Sequence, residues 1–122
     1  MHRSRLCALV IDCEKAELDA ASRFWSGALG RPERAREGNY VTLEDRANQL
    51  LVLLQRVNHP SRVHLDIETD DVEAEVRRLE TLGAKRVARV ETWWVLEAPT
   101  GQRFCVVRPQ RGPLGDDANT WP

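Results

Sequence analysis

Residues 63–68 read Val-His-Leu-Asp-Ile-Glu, and this short apolar run into an acid decides the fold because the chain contains the pattern twice. The earlier copy is Leu-Cys-Ala-Leu-Val-Ile-Asp at residues 6–12. Each copy leads into a helix-like stretch that ends at a Leu-Gly pair, with the glycines at Gly30 and Gly83. A repeat of this period predicts two similar supersecondary units, neither of which buries its apolar face alone. Paired units leave a cleft, and such junctions are where small molecules bind.

The first unit, about residues 5–57, reads as β-α-β-β. Its helix has apolar residues at spacings of three and four and ends at Gly30, which suits a left-handed cap. There is room for one further short strand around residues 31–36. The predicted elements are strand 6–12, helix 17–29, and strands 39–45 and 49–57.

The second unit, about residues 62–108, repeats this order after a boundary at residues 58–61. Asp70-Asp71-Val72-Glu73 resembles a capping box, in which one acid caps the helix and another follows three residues later. The expected strands are 63–67, 85–90, 92–97 and 103–108. We expect the tail, residues 109–122, to be loose or to lie along the surface. The two units and this tail form one domain of 122 residues.

Composition excludes several classes of protein. With 42% apolar and 30% charged residues, we expect a soluble globular chain. The net charge of -1 gives no reason to expect nucleic acid or a membrane as partner. Three cysteines without a CxxC motif, and no apparent signal peptide, favour reduced thiols in a cytoplasmic protein.

The segment Phe-Trp-Ser-Gly-Ala-Leu-Gly at residues 24–30 resembles the first unit of the vicinal oxygen chelate superfamily. That superfamily includes glyoxalase I, bleomycin-resistance proteins and extradiol dioxygenases. Residues 63–72 and Leu-Gly-Ala at 82–84 resemble its second unit, and residues 98–104 resemble its turn before the last strand. The resemblance covers residues 5–108 and is greatest to the uncharacterised glyoxalase-like domain branch. It implies an α+β fold of two βαβββ modules, which form a cupped mixed β-sheet with the helices on its outer face.

The resemblance also implies where a metal would bind, on the first and last strands of each module. In the first module these positions fall at about Ala8 and Val52, which carry no donor atom. In the second module they fall at His64, a good ligand, and Cys105, a substitute. Asp66 shares the face of His64 but lies further along the strand. Since catalytic zinc usually has three protein ligands, we expect no resident metal or other cofactor, and a weakly bound divalent ion is the disfavoured alternative.

The other candidate residues would contact a ligand. His64 is the candidate acid-base group, and the alternative is a histidine that only hydrogen-bonds a neighbour and does no chemistry. Tyr40, Trp93 and Trp94 would offer an aromatic wall, or else ordinary packing. Arg56 and Arg103 lie near strand ends, where arginine holds carboxylates or phosphates.

We therefore expect a small-molecule binding protein with an apolar, aromatic-lined cleft whose ligand contacts are His64, Asp66, Cys105, Tyr40, Trp93, Trp94, Arg56 and Arg103. The alternative is a lyase, isomerase or dioxygenase-like enzyme that uses His64, with or without a weakly bound metal. A third possibility is a structural dimer whose cleft is largely closed. A homodimer is expected in any case, because small cupped sheets leave apolar edges to cover.

Overall fold

The computed structural model describes residues 1–122, which divide into two compact units. We call residues 8–64 the first module, and residues 1–7 with 65–122 the second module. The boundaries fall inside strands β1 (His2–Glu14) and β5 (Arg62–Thr69).

The first module follows β1 with α1 (Leu18–Leu29), β2 (Glu33–Glu37), β3 (Tyr40–Leu43) and β4 (Leu51–Val57). The strand order is β2-β3-β4-β1, with β4 parallel to β1 and the other pairs antiparallel. β2 is the short strand for which the sequence left room. The apolar stripe of α1 packs on the sheet, and the helix ends at Gly30 in the left-handed conformation.

The second module repeats this plan. β5 is followed by α2 (Val72–Thr81), β6 (Lys85–Val90), β7 (Trp93–Glu97) and β8 (Arg103–Val107). The strand order is β6-β7-β8-β5, and β8 is parallel to β5. Each module is thus βαβββ with the same connectivity, which confirms the α+β class and the internal repeat.

The N-terminus of α2 differs slightly from the expected capping box. Asp71 is the cap, and its side chain accepts a hydrogen bond from the backbone N of Ala74 at 3.0 Å. Asp70 instead accepts from the backbone N of Arg3 at 2.9 Å. The position three residues after the cap is therefore Ala74, not an acid. Neither α1 nor α2 is long and apolar enough to cross a membrane.

The C-terminal tail is more ordered than expected. Its last residues form β9 (Asn119–Trp121), which pairs antiparallel with the start of β1. The indole Nε1 of Trp121 donates to Ser4 Oγ at 2.8 Å, and the guanidinium of Arg78 lies 3.8 Å from the centre of the Trp121 ring. The tail has no periodicity to reveal this, because these contacts all come from residues far away in sequence.

The three cysteines are free thiols, and all are buried. Burial is the main cause that raises the pKa of Cys7 to about 12, and Glu68 and Asp66 add to it. Burial also raises the pKa of Cys13, as does the charge of neighbouring Asp12. Both thiols are therefore protonated at neutral pH and poorly suited to act as nucleophiles.

Candidate functional site

The sheet of the first module has one face covered by α1. Leu9, Ile11 and Cys13 of β1 pack in the core beneath this helix. Because side chains alternate along a strand, Val10 and Asp12 point to the opposite face of the sheet, where both are buried. The apolar strand β1 thus places one acid, Asp12, on this face at its carboxyl end.

Asp12 and His64 form the central pair of this face. Asp12 is only 2% exposed, and its Oδ2 lies 2.9 Å from Nδ1 of His64. A carboxylate only accepts hydrogen bonds, so Nδ1 of His64 carries the proton and donates it. This is the arrangement by which a buried acid fixes the tautomer and orientation of a histidine that acts on a ligand.

Two further cationic or cation-capable groups approach the same oxygen. Nε2 of His59 lies 3.7 Å and Nε of Arg62 lies 3.8 Å from Asp12 Oδ2. These distances are ion-pair contacts but too long for hydrogen bonds. Oδ1 of Asp12 is buried and accepts no hydrogen bond. A buried polar atom without a partner is uncommon in proteins and often marks a functional position.

The loop before β5 holds these groups in place. The backbone N of Glu14 donates to Ser61 Oγ at 2.9 Å, which ties the loop to the end of β1. His59 is anchored by its own Nδ1, 2.8 Å from the carbonyl oxygen of Pro60. Because a carbonyl only accepts, Nδ1 of His59 is the donor, and its Nε2 is the atom turned to Asp12.

Tyr40 and Gln55 extend the polar surface across the sheet. In the β1–β4 ladder Gln55 pairs with Asp12, and in the β3–β4 ladder it pairs with Tyr40. Nε2 of Gln55 donates to the hydroxyl of Tyr40 at 3.0 Å. Together with Asp12 and His64 these two residues form a polar row over four neighbouring strands, which we call the polar row. The structure therefore brings two of the expected ligand residues, Tyr40 and His64, onto one surface.

The polar row includes Asp12, which the sequence had not identified as a site residue. The available signal was the acid that ends the first strand of each repeat, Asp12 in one and Glu68 in the other. The repeated acid predicted the two similar units of the fold, but it did not predict which residue would contact Asp12. Only the chain path between the two copies shows that His64 reaches Asp12.

The ladder register refines the comparison of metal positions. β1 pairs Val10 with Leu53, and β5 pairs Asp66 with Cys105. Since Val10 and Asp66 are equivalent in the repeat, Leu53 corresponds to Cys105, one residue from the expected Val52. Neither Leu53 nor Val52 offers a donor atom for a metal.

Of the expected metal positions in the second unit of the repeat, His64 is the good ligand. A carboxylate on one nitrogen of a histidine, as Asp12 lies on Nδ1 of His64, is the usual support of a metal-bound imidazole. The chemistry of His64 therefore fits a divalent metal.

The remaining candidate residues are spread over both sheet faces. Trp94 packs in the core beneath α2, with the guanidinium of Arg86 4.9 Å from its ring centre. Trp93, the next residue along the strand, points to the opposite face. Arg56 pairs with Cys13 in the ladder and so lies on the α1 side, away from the polar row. Arg103 is engaged by Glu97 at 3.1 Å.

Comparison with known proteins gives structural likeness at low sequence identity. Methylmalonyl-CoA epimerase from Mycobacterium tuberculosis is 18% identical, with a TM-score of 0.66 over 86% of this chain and 87% of that one. A hypothetical protein from Bacillus halodurans is 13% identical, with a TM-score of 0.68 over 91% of this chain and 99% of that one. The Mn(II)-bound glyoxalase from Novosphingobium aromaticivorans is 16% identical, with a TM-score of 0.62 over 95% of this chain and 44% of that one. No curated protein sequence matches the chain.

These likenesses show the fold alone. Membership is shown by the sequence model of the glyoxalase-like domain family, which matches residues 8–107. The matched span begins at the first residue of the first module and ends with β8. The chain therefore belongs to the glyoxalase-like domain family.

Proposed function

We propose that this protein binds a small organic molecule at the polar row, with His64 as the group that contacts the reactive or polar end of the ligand. The observation that carries the proposal is the 2.9 Å hydrogen bond from His64 Nδ1 to the buried Asp12. It orients the ring, because Nδ1 donates to the acid. His64 has a side chain that is 12% exposed, so it is positioned but still within reach of solvent.

The alternative of a histidine that only satisfies a buried acid is less well supported. A purely structural role would be expected to satisfy both oxygens of Asp12, yet Oδ1 has no partner. Tyr40 and Gln55 add a hydroxyl and an amide beside the pair. Such a surface suits a ligand with oxygen atoms, for which a few polar groups fix the orientation.

A thermal-shift screen with a library of small organic acids, amides and aldehydes tests the proposal. A compound present at about 100 times its Kd should stabilise the protein by about 2.7 kcal/mol. His64→Gln should remove that stabilisation, whereas the control Arg34→Gln, an exposed residue of β2, should keep it. A hit that stabilises His64→Gln as much as the unchanged protein would place binding elsewhere.

A metal-assisted lyase, isomerase or dioxygenase-like enzyme is the second candidate, favoured by the carboxylate of Asp12 on Nδ1 of His64, which is the usual support of a metal-bound histidine. In it a divalent ion would polarise an oxygen atom of the substrate. Elemental analysis of untagged protein measures whether an ion is carried. Titration with Co²⁺ then tests the residues, because a cobalt–thiolate charge-transfer band should appear and should be lost in Cys105→Ser.

The expected homodimer is also part of the proposal. Several large apolar side chains are exposed in the chain, among them Phe24 at 63% and Val63 at 54%. Size-exclusion chromatography with light scattering at micromolar concentration measures the assembly state, and a monomer alone would refute the dimer.

A further inference from the structure

We propose that Arg62 is the anchor for a carboxylate of the ligand, so that the protein takes small carboxylic acids. This inference rests on the proposed function, because it names the class of molecule that would bind beside His64. It is carried by three features of Arg62: its ion pair with Asp12, its exposed side chain, and its position two residues before His64.

Asp12 forms an ion pair with the guanidinium of Arg62. The nitrogen nearest to Asp12 Oδ2 is Nε, at 3.8 Å, and the acid itself is 2% exposed. At this distance the contact is an ion pair and not a hydrogen bond, so it holds the charged end of Arg62 beside the acid without using the N–H groups of the guanidinium. Those N–H groups remain able to donate to an incoming partner.

The outer edge of Arg62 is available to a ligand. The side chain is 46% exposed, and its guanidinium makes no hydrogen bond within the protein. Two parallel N–H groups match the two oxygens of a carboxylate, and such paired hydrogen bonds are among the strongest that a side chain offers. By contrast, Arg103 is already engaged by Glu97.

The two-residue spacing on β5 places Arg62 on the same side of the strand as His64. Arg62 and His64 lie two residues apart on β5, so both side chains point to the same face, and their Cα atoms are about 7 Å apart. Both reach the same oxygen of Asp12, at 3.8 and 2.9 Å. A carboxylate held by Arg62 would thus bring the neighbouring carbon atoms of a short acid against the imidazole.

The negative charge of Asp12 is the main opposing effect. It is reduced by the N–H of His64 and by the guanidinium itself, both directed at Oδ2. An incoming carboxylate would meet the far edge of Arg62, with the positive group lying between the two anions. The contrasting explanation is an arginine that only neutralises Asp12 and whose outer edge stays in water.

NMR titration with butanoate, 2-oxobutanoate and butanamide separates these explanations. The two acids should shift the Arg62 Nε–H signal and bind at least about tenfold more tightly than the amide. Arg62→Gln should abolish this preference, Arg62→Lys should keep part of it through charge alone, and the control Arg34→Gln should leave it unchanged. Melting temperatures of the variants monitor folding.

The other outcomes overturn the inference in distinguishable ways. Equal binding of acid and amide, lost in His64→Gln, would keep the proposed function and refute the carboxylate anchor. A lower melting temperature of Arg62→Gln with unchanged affinity for butanoate would show that Arg62 only neutralises Asp12. If none of the three compounds shifts signals of Asp12, Arg62 or His64, the carboxylic-acid class is wrong, and a thermal-shift hit lost in His64→Gln would then leave the proposed function standing alone.

Discussion

Asp12 and Glu68 stand at equivalent positions of the two modules, and both carboxylates are almost fully buried, at 2% and 0% exposure. Glu68 has a partner on each oxygen, Arg5 Nε at 2.7 Å and the backbone N of Gln110 at 2.8 Å. Asp12 has His64 on one oxygen and no hydrogen bond on the other. The same position in a repeated unit thus holds a saturated acid in one copy and a half-satisfied acid in the other.

The difference suits the two acids to different roles. Glu68 joins the start of β1 to the tail, because Arg5 also pairs with Asp117 at 2.6 Å. The hydrogen bonds of Glu68 therefore stabilise the contact between β1 and the C-terminal tail. Asp12 instead meets two histidines and an arginine at the edge of the sheet. We infer that stability has been concentrated in the second module and that the first has kept the groups suited to a ligand.

Removing the charge of each acid should have the largest and most unequal effect. Glu68→Gln leaves Arg5 opposite a neutral group and should destabilise the fold by about 3–5 kcal/mol, the usual cost of breaking a buried pair. Asp12→Asn loses one charged hydrogen bond and should cost only about 1–2 kcal/mol. Urea unfolding of both variants measures the difference.

NMR of the imidazole nitrogens supplies the second half of this test. Asp12→Asn should change the tautomer of His64, whereas Glu68→Gln should not. If both variants lost the same stability and His64 kept its tautomer in each, the two acids would have the same structural role and the comparison would fail.

A second buried acid sharpens the comparison through pH. Glu75 of α2 is 0% exposed, and the equivalent position of α1 is uncharged Ser22. Burial alone would raise the pKa of Glu75, but hydrogen bonds from Arg78, His2 and Ser4 outweigh it and lower the pKa to about 2. Because the pKa of Glu75 is lower in the folded state than in the unfolded state, its charge stabilises the fold at pH values above the unfolded-state pKa. This stabilisation is lost as the pH falls through the folded-state pKa.

The free energy of unfolding should fall by about 3 kcal/mol between about pH 5 and pH 2, since each unit of pKa shift corresponds to about 1.4 kcal/mol. Urea unfolding of the unchanged protein and of Glu75→Gln at several pH values measures it. The advantage of the unchanged protein should shrink towards pH 2. A constant difference between the two would mean that Glu75 carries no charge-dependent stability.

Much of the fold could be predicted from the sequence, but only part of the site. Leu18 and Trp25 on one helical stripe, or the apolar run of β1, show their roles locally because burial imposes a period. β9 was not predicted, because Trp121 is held by Ser4 and Arg78, which lie far from it in the sequence. His64 became a candidate through the family resemblance, which places a ligand at its position on the first strand of a module.

Its partner Asp12 could not be identified in this way. Which donors meet a given acid depends on the path of the loop at 58–61, and no local pattern in the sequence encodes that path. The same loop carries His59 towards Asp12, and Arg62 follows at the start of β5.

The smallest expected effect compares the two glycines that end the helices. Gly30 has φ 67, and a Cβ there would meet no atom within 4 Å. Gly83 has φ 110, and a Cβ there would lie 2.9 Å from Cγ of Pro99. Gly30→Ala should therefore cost about 1 kcal/mol for its left-handed backbone, whereas Gly83→Ala should cost about 2–3 kcal/mol because strain and a close contact add. Thermal unfolding of the two variants measures both, and Gly83→Ala with Pro99→Ala should recover the part due to contact. Equal losses of stability at the two glycines would mean that Pro99 moves aside at little cost. The second module would then be less tightly packed at the end of α2 than the buried acids Glu68 and Glu75 indicate.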